Sequence, residues 1–297
     1  PNSTVVVTPS WANKEVKTHA DEKGCWELQI TTPAASFEEY TLTLTDGEQS
    51  VTLQHLLIGE VWLCAGQSNM VMPLNGFDYC PISDSNNVIA DAPNHPGIRM
   101  VTIKPTVKLS PQEYAEGSWQ QPTTENAPKF SAAAYHYALT LQRTLQIPIG
   151  VITCAWGGSR VEGWLPKEIL QTYKDEDLTL IGSDKTPVYL QSMLMYNGIL
   201  YPCHKYTIKG FIWYQGESNV RSSRTYAERL ATMVKHWRSI WKQGDLPFYY
   251  VETVPFACEY KEDGYIGALL REAQQKALSL IPNSCLLYTS PKPTRPE

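Results

Sequence analysis

Two hydrophobic patterns divide the chain. Over the first 57 residues apolar and polar side chains alternate singly, as in Cys25-Trp-Glu-Leu-Gln-Ile-Thr31 and Tyr40-Thr-Leu-Thr-Leu-Thr45. A period of two marks half-buried antiparallel strands. Asp46-Gly47 supplies a turn, and Val51-Thr-Leu53 begins the next strand. Residues 1–57 are therefore expected to form a small all-β, sandwich-like domain. From Ile58 the pattern changes to short continuous apolar runs separated by helical ones. The runs at 61–65, 98–103, 149–156, 208–214 and 248–254 read as parallel strands buried on both faces. Phe130, Ala134, Tyr137, Leu141 and Leu145 recur at helical spacing, and so do Tyr226, Leu230, Met233, Val234, Trp237, Ile240 and Trp241. A third helix is expected over about 267–280. The sum is an α/β architecture with right-handed crossovers. Residues 75–96, rich in Asp, Asn, Ser and Pro, read as a long surface loop of the kind that serves a site.

Composition narrows the function classes. The formal net charge is −5 and no Lys/Arg-rich run occurs, which argues against nucleic acid or an anionic membrane as partner. No apolar stretch approaches the ~20 residues of a membrane span. The chain opens at Pro1-Asn-Ser without a charged-then-apolar leader, so its compartment is not legible there. The seven cysteines include no CxxC pair, which gives neither a disulfide framework nor a zinc site. Nine Trp and seventeen Tyr suit a filled core first and a carbohydrate site second.

Reactive groups in open parallel sheets gather past the carboxyl ends of the strands. Three segments fall there. In Val61-Trp-Leu-Cys-Ala-Gly-Gln-Ser-Asn-Met70, Gly66 permits a tight turn and Ser68 lies at the strand's tip, as a nucleophile or as a capping turn residue. The Gly-x-Ser-x-Gly elbow is not met, because Met occupies position 70. In Ile149-Gly-Val-Ile-Thr-Cys-Ala-Trp-Gly-Gly-Ser-Arg160, the two glycines leave backbone N–H groups uncovered, as an oxyanion hole or a plain turn would. Arg160 and Glu162 either contact a substrate or pair locally. In Phe211-Ile-Trp-Tyr-Gln-Gly-Glu-Ser-Asn219, Gln215 has the chemistry to donate to an oxyanion and Glu217 to orient another group; a helix-capping turn is the other reading. Asn69, Arg160 and Asn219 are the candidate substrate contacts.

Gly66-Gln-Ser-Asn-Met70, Trp156-Gly-Gly-Ser159 and Trp213-Tyr-Gln-Gly-Glu-Ser-Asn219 resemble, in order and spacing, the sialate O-acetylesterase family of the SGNH-hydrolase superfamily. Phe130-Ser-Ala-Ala-Ala-Tyr135, Tyr196-Asn-Gly198, Trp237-Arg238 and Leu270-Arg-Glu-Ala-Gln274 extend the resemblance over roughly 58–283. It implies a flavodoxin-like three-layer α/β/α SGNH-hydrolase domain at 58–284, preceded by the small β domain. It implies serine-esterase removal of O-acetyl groups from a sugar, sialic acid or another acetylated glycan such as acetylxylan, without a cofactor. Ser68 matches the nucleophile, and Gly158 the glycine whose N–H joins that of Ser68 in the oxyanion hole. Gln215 takes the place of a side-chain oxyanion donor, and Glu217 a supporting or triad position. A periplasmic or secreted location is also implied.

The family's general base is a histidine in a C-terminal Asp-x-x-His block. None of His19, His55, His95, His136, His204 and His236 has an Asp three residues before it. The last residues, Cys285-Leu-Leu-Tyr-Thr-Ser-Pro-Lys-Pro-Thr-Arg-Pro-Glu297, carry three prolines in seven positions, unlike a central strand. Residues 285–297 are accordingly expected to be an anomalous tail standing where that block belongs. The alternative function is a glycan-binding pseudo-enzyme lacking the base.

Overall fold

A computed structural model describes residues 1–12, 14–255 and 265–288. Ten strands form two sheets among these residues. The first sheet is antiparallel, in the order β2-β1-β3-β4, from β1 (Thr4–Pro9), β2 (Val16–His19), β3 (Ser36–Thr45) and β4 (Ser50–Ile58). The β3–β4 hairpin turns at Asp46-Gly47, where the Asp46 carboxylate accepts the N–H groups of Glu48 and Gln49. Here the alternation was informative about burial but not about pairing. Residues 25–31, expected to be a strand, join no ladder. Leu28 and Ile30 still pack on a small core of Val5, Val7 and Ala20, which is what the alternation recorded. The region is one sheet, not two packed face to face.

The second sheet is entirely parallel, in the order β10-β9-β8-β5-β7-β6. Its strands are β5 (Glu60–Gly66), β6 (Ile98–Thr102), β7 (Ile149–Ala155), β8 (Gly210–Tyr214), β9 (Phe248–Val251) and β10 (Ser284–Leu287). Six α-helices lie among the described residues: α1 (Ser68–Val71), α2 (Ser85–Asp91), α3 (Ala132–Leu145), α4 (Lys167–Leu170), α5 (Ser223–Trp241) and α6 (Ile266–Leu280). The continuous apolar strand runs have a simple cause. Trp62 and Cys64 of β5 face the core built with α1 and α3, whereas Leu63 and Ala65 face the core built with α5 and α6. Ile212 and the Phe211/Trp213 pair divide the same way on β8. Both faces are covered, giving the three-layer α/β/α arrangement that the family resemblance implied.

Two expectations are corrected here. Residues 75–96 are not one irregular loop. They contain α2, whose Val88 and Ile89 pack on the α3-side core, a helix too short for its period to stand out among polar neighbours. The fold also extends past Ser284. Cys285, Leu286 and Leu287 pair in parallel with Tyr249, Tyr250 and Val251, and Leu286 is buried. These apolar residues complete the sheet edge. Pro291, Pro293 and Pro296, on which the expectation of a tail rested, lie outside the described residues.

Candidate active site

The strand order sets the position of the site. From β5 the chain moves to β6 and β7 on one side, then crosses to β8 on the other. The carboxyl end of β5 is therefore the switch point, where ligands bind in open α/β sheets. Gly66 is in register with Ala155 of β7 on one side and Tyr214 of β8 on the other. Backbone hydrogen bonds continue past the strands: Trp156 N–H donates to Gly66 O, and Gln67 N–H donates to Tyr214 O. The three sequence motifs thus leave the sheet side by side, at strand spacings of about 4.8 Å.

The residues flanking Ser68 tie its turn to the segment after β8. Gln67 is buried, and its side-chain Oε1 accepts the N–H groups of Gly216 (3.2 Å) and Ser218 (3.3 Å). Asn69 donates from Nδ2 to Glu217 Oε1 at 2.7 Å. Ser68 lies between these anchors, half-buried at the first position of α1. Among the described residues its hydroxyl has no hydrogen-bond partner, and neither does the Gly158 N–H. Gly158 has φ +75°, and a Cβ there would stand 2.8 Å from the exposed Tyr189 ring. A free hydroxyl after β5 and a free backbone N–H after the neighbouring β7 are groups that acyl transfer uses.

Glu217 is unusual. Its Oε2 is buried with no partner among the described residues. Burial pushes the carboxyl above the ordinary glutamate range, against weaker opposing contributions from its own backbone N–H and Asn69. An acid raised in the folded state binds more protons than in the unfolded state across that window, so stability falls as pH rises through it. Glu217→Gln keeps an acceptor for Asn69 and cannot ionise. Urea unfolding from pH 4 to pH 8 should show the wild type losing stability relative to Glu217→Gln as pH rises; parallel profiles would refute this.

Three of the expected site residues are bonded within the protein. Gln215 was expected to donate to an oxyanion. It is fully buried, and its Nε2 donates to Ser159 O (3.0 Å) and Asn219 Oδ1 (2.8 Å), so both amide hydrogens are committed within the protein. Asn219 was expected to touch substrate. It too is fully buried, accepting Val161 N–H and donating to the Glu162 carboxylate. Arg160 is held by Leu190 O, Glu176 and Ser192. Asn69 remains half-exposed beside Ser68, though its amide is bonded to Glu217. Strand-end position identified these residues but could not tell which way their side chains turn.

Two further residues contribute to the site. Gln274 of α6 donates from Nε2 to Gln215 O and accepts Thr253 N–H. Its signal was present: a polar residue on the buried face between Leu270 and Ala277. Tyr189 lies in a segment with no period to betray it. A cavity of about 360 Å³ lined by Glu60, Arg99, Trp119 and Ile149 lies at the amino ends of the strands, opposite Ser68.

No histidine is hydrogen-bonded to Ser68 among the described residues. His19 meets Thr4, His55 Glu39, His95 Asp91, His204 the Tyr201 carbonyl and His236 the Tyr196 hydroxyl. His136 is exposed on α3, edge-on to Tyr135.

The model of one family, the sialic acid-specific acetylesterases among the carbohydrate esterases, matches residues 58–290. The chain belongs to this family. Sialate O-acetylesterases of Pongo abelii and Homo sapiens are each 27% identical over 263 residues, covering 82% of this chain and 49% of their own. A solved carbohydrate acetylesterase from Xanthomonas citri superposes with TM-score 0.83 at 30% identity, covering 97% of this chain and 62% of that one. The chain thus spans about half the length of the curated sialate O-acetylesterases it matches. The family match begins at Ile58, the last residue of β4, and takes in all three strand-end motifs. No helix among the described residues is long and apolar enough to cross a membrane.

Proposed function

We propose that this chain carries the site of a serine esterase that removes O-acetyl groups from a sugar, with Ser68 as nucleophile. The observation that carries the reading is Ser68 itself, at the switch point, anchored through Gln67 and Asn69, its hydroxyl without a partner among the described residues. Ser68 Oγ attacks the acetyl carbonyl, and its proton passes through water to the departing sugar oxygen. The N–H groups of Ser68 and Gly158 hold the oxyanion of the tetrahedral intermediate, each such donor being worth about 10²–10³ in rate. The sugar oxygen leaves with a proton, and water then releases acetate from the acetyl-serine. Glu217 supports the turn through Asn69. Residues 1–57 stand in this proposal as a small domain ahead of the catalytic one. Family membership supports an acetylated glycan as substrate, sialic acid or acetylxylan among the candidates, and a periplasmic or secreted location.

The absence of a histidine bond to Ser68 sets the expected rate. Without a bonded imidazole, attack by Ser68 relies on its oxyanion donors and on a good leaving group, which p-nitrophenyl acetate supplies. Wild type should release p-nitrophenol from p-nitrophenyl acetate faster than buffer, and Ser68→Ala should fall to the buffer rate. Equal rates for the two would end the esterase reading. The same missing bond favours a second reading, a glycan-binding site without turnover. It predicts saturable binding of O-acetylated sialosides or xylo-oligosaccharides with no acetate released.

A further inference from the structure

Gln215 and Asn219 raise a question that substrate contact does not answer, since neither faces solvent. What they hold is the segment carrying Gly158. That segment leaves β7 at Trp156 and re-enters ordered structure at the 3₁₀ turn Val161–Trp164. Between these points, Ser159 O accepts from Gln215 Nε2, and Ser159 Oγ accepts from Trp164 Nε1 at 3.0 Å. Val161 N–H donates to Asn219 Oδ1 at 2.9 Å.

The two amides are themselves fixed. Gln215 Nε2 donates to Asn219 Oδ1, and Gln215 Oε1 accepts from the buried Tyr226 hydroxyl at 3.0 Å. Asn219 Nδ2 donates to Glu162, which is wholly buried and paired with Arg229 at 2.5 Å. A fully satisfied buried network of this kind specifies one arrangement of the groups it joins. Gly158 gains nothing from its own conformational freedom in this respect. Its left-handed φ admits the turn, but only its neighbours decide where its N–H points.

We infer that Gln215 and Asn219 are positioning residues, which set the Gly158 N–H for the oxyanion by bracing Ser159 and Val161. This rests on the esterase reading and assigns work within it that substrate contact would not. An oxyanion donor acts only if held where charge develops, and displacement by about 1 Å can cost 10²-fold.

The test is Gln215→Met, which keeps the length and removes both donations, measured alongside wild type and Ser68→Ala. With p-nitrophenyl acetate, kcat should fall about 10- to 100-fold while KM stays within about twofold. The inhibition constant of an arylboronic acid, which forms a tetrahedral adduct on serine, should rise by the factor lost in kcat/KM. Hydrogen–deuterium exchange should speed at residues 157–161 and not at 62–65 of β5. Unchanged kcat with unchanged exchange would overturn the proposal while leaving the esterase reading intact. A rise in KM alone would overturn it in favour of substrate contact. Equal hydrolysis by wild type and Ser68→Ala would remove the esterase reading and the catalytic half of the proposal, and exchange would then decide whether Gln215 fixes the loop.

Discussion

Gly66→Ala is expected to leave little folded protein. Gly66 ends β5 at φ +147°, and a Cβ built there falls 2.1 Å from the Tyr214 carbonyl oxygen and 2.7 Å from its carbon. Those atoms are backbone of β8, so no side chain can swing aside. The two central strands would have to part at the register position that also receives Gln67 N–H on Tyr214 O. Overpacking costs about 1–3 kcal/mol and backbone strain a similar amount. A combined loss of about 2–6 kcal/mol is a large share of the 5–15 kcal/mol typical of a whole domain. Urea denaturation followed by circular dichroism should show a much lower midpoint or no cooperative transition. A midpoint within experimental scatter of wild type would mean that the strands are not held this closely.

Arg229→Met should destabilise the protein by about 3–5 kcal/mol, the usual cost of breaking a buried ion pair by removing one partner. Arg229 on α5 is almost fully buried, with its guanidinium 2.5 Å from Glu162, 2.7 Å from Asp175 and 4.6 Å from the centre of the Tyr173 ring. Met keeps the stem and abolishes the charge. Glu162 then remains wholly buried, with the Asn219 amide as its nearest donor and Arg160 at 3.8 Å. The effect should shrink when the stranded charge is also removed. Arg229→Met with Glu162→Gln should recover much of the loss, and a double-mutant cycle from urea unfolding measures that coupling. Additive losses would show that the pair does not act as a unit.

Much of this was legible in the sequence, for reasons that differ from element to element. Strands buried on both faces read as unbroken apolar runs, so β5, β7 and β8 were found, and α3, α5 and α6 announced themselves by period. Alternation failed at residues 25–31 because it records which side chains are buried, not which backbones pair. It gave no warning of β10, where only a short apolar stretch survives ahead of prolines. The three chemical motifs were correctly placed at strand ends, since glycine and polar residues after an apolar run mark where a parallel strand stops. Side-chain direction was not legible. Gln215 and Asn219 look like available donors in the sequence, yet both turn inward to brace the loop after β7. Gln67 and Asn69, which flank Ser68, turn toward the loop after β8.

As the nucleophile, Ser68 must form an acetyl ester during turnover. Wild type and Ser68→Ala should be mixed with p-nitrophenyl acetate, quenched in acid over a time series, digested and analysed by mass spectrometry. Wild type is predicted to accumulate one acetyl group on the side chain of Ser68, appearing with the first release of p-nitrophenol and decaying as substrate runs out. Acetylation confined to other residues, at the same rate in both proteins, would contradict it.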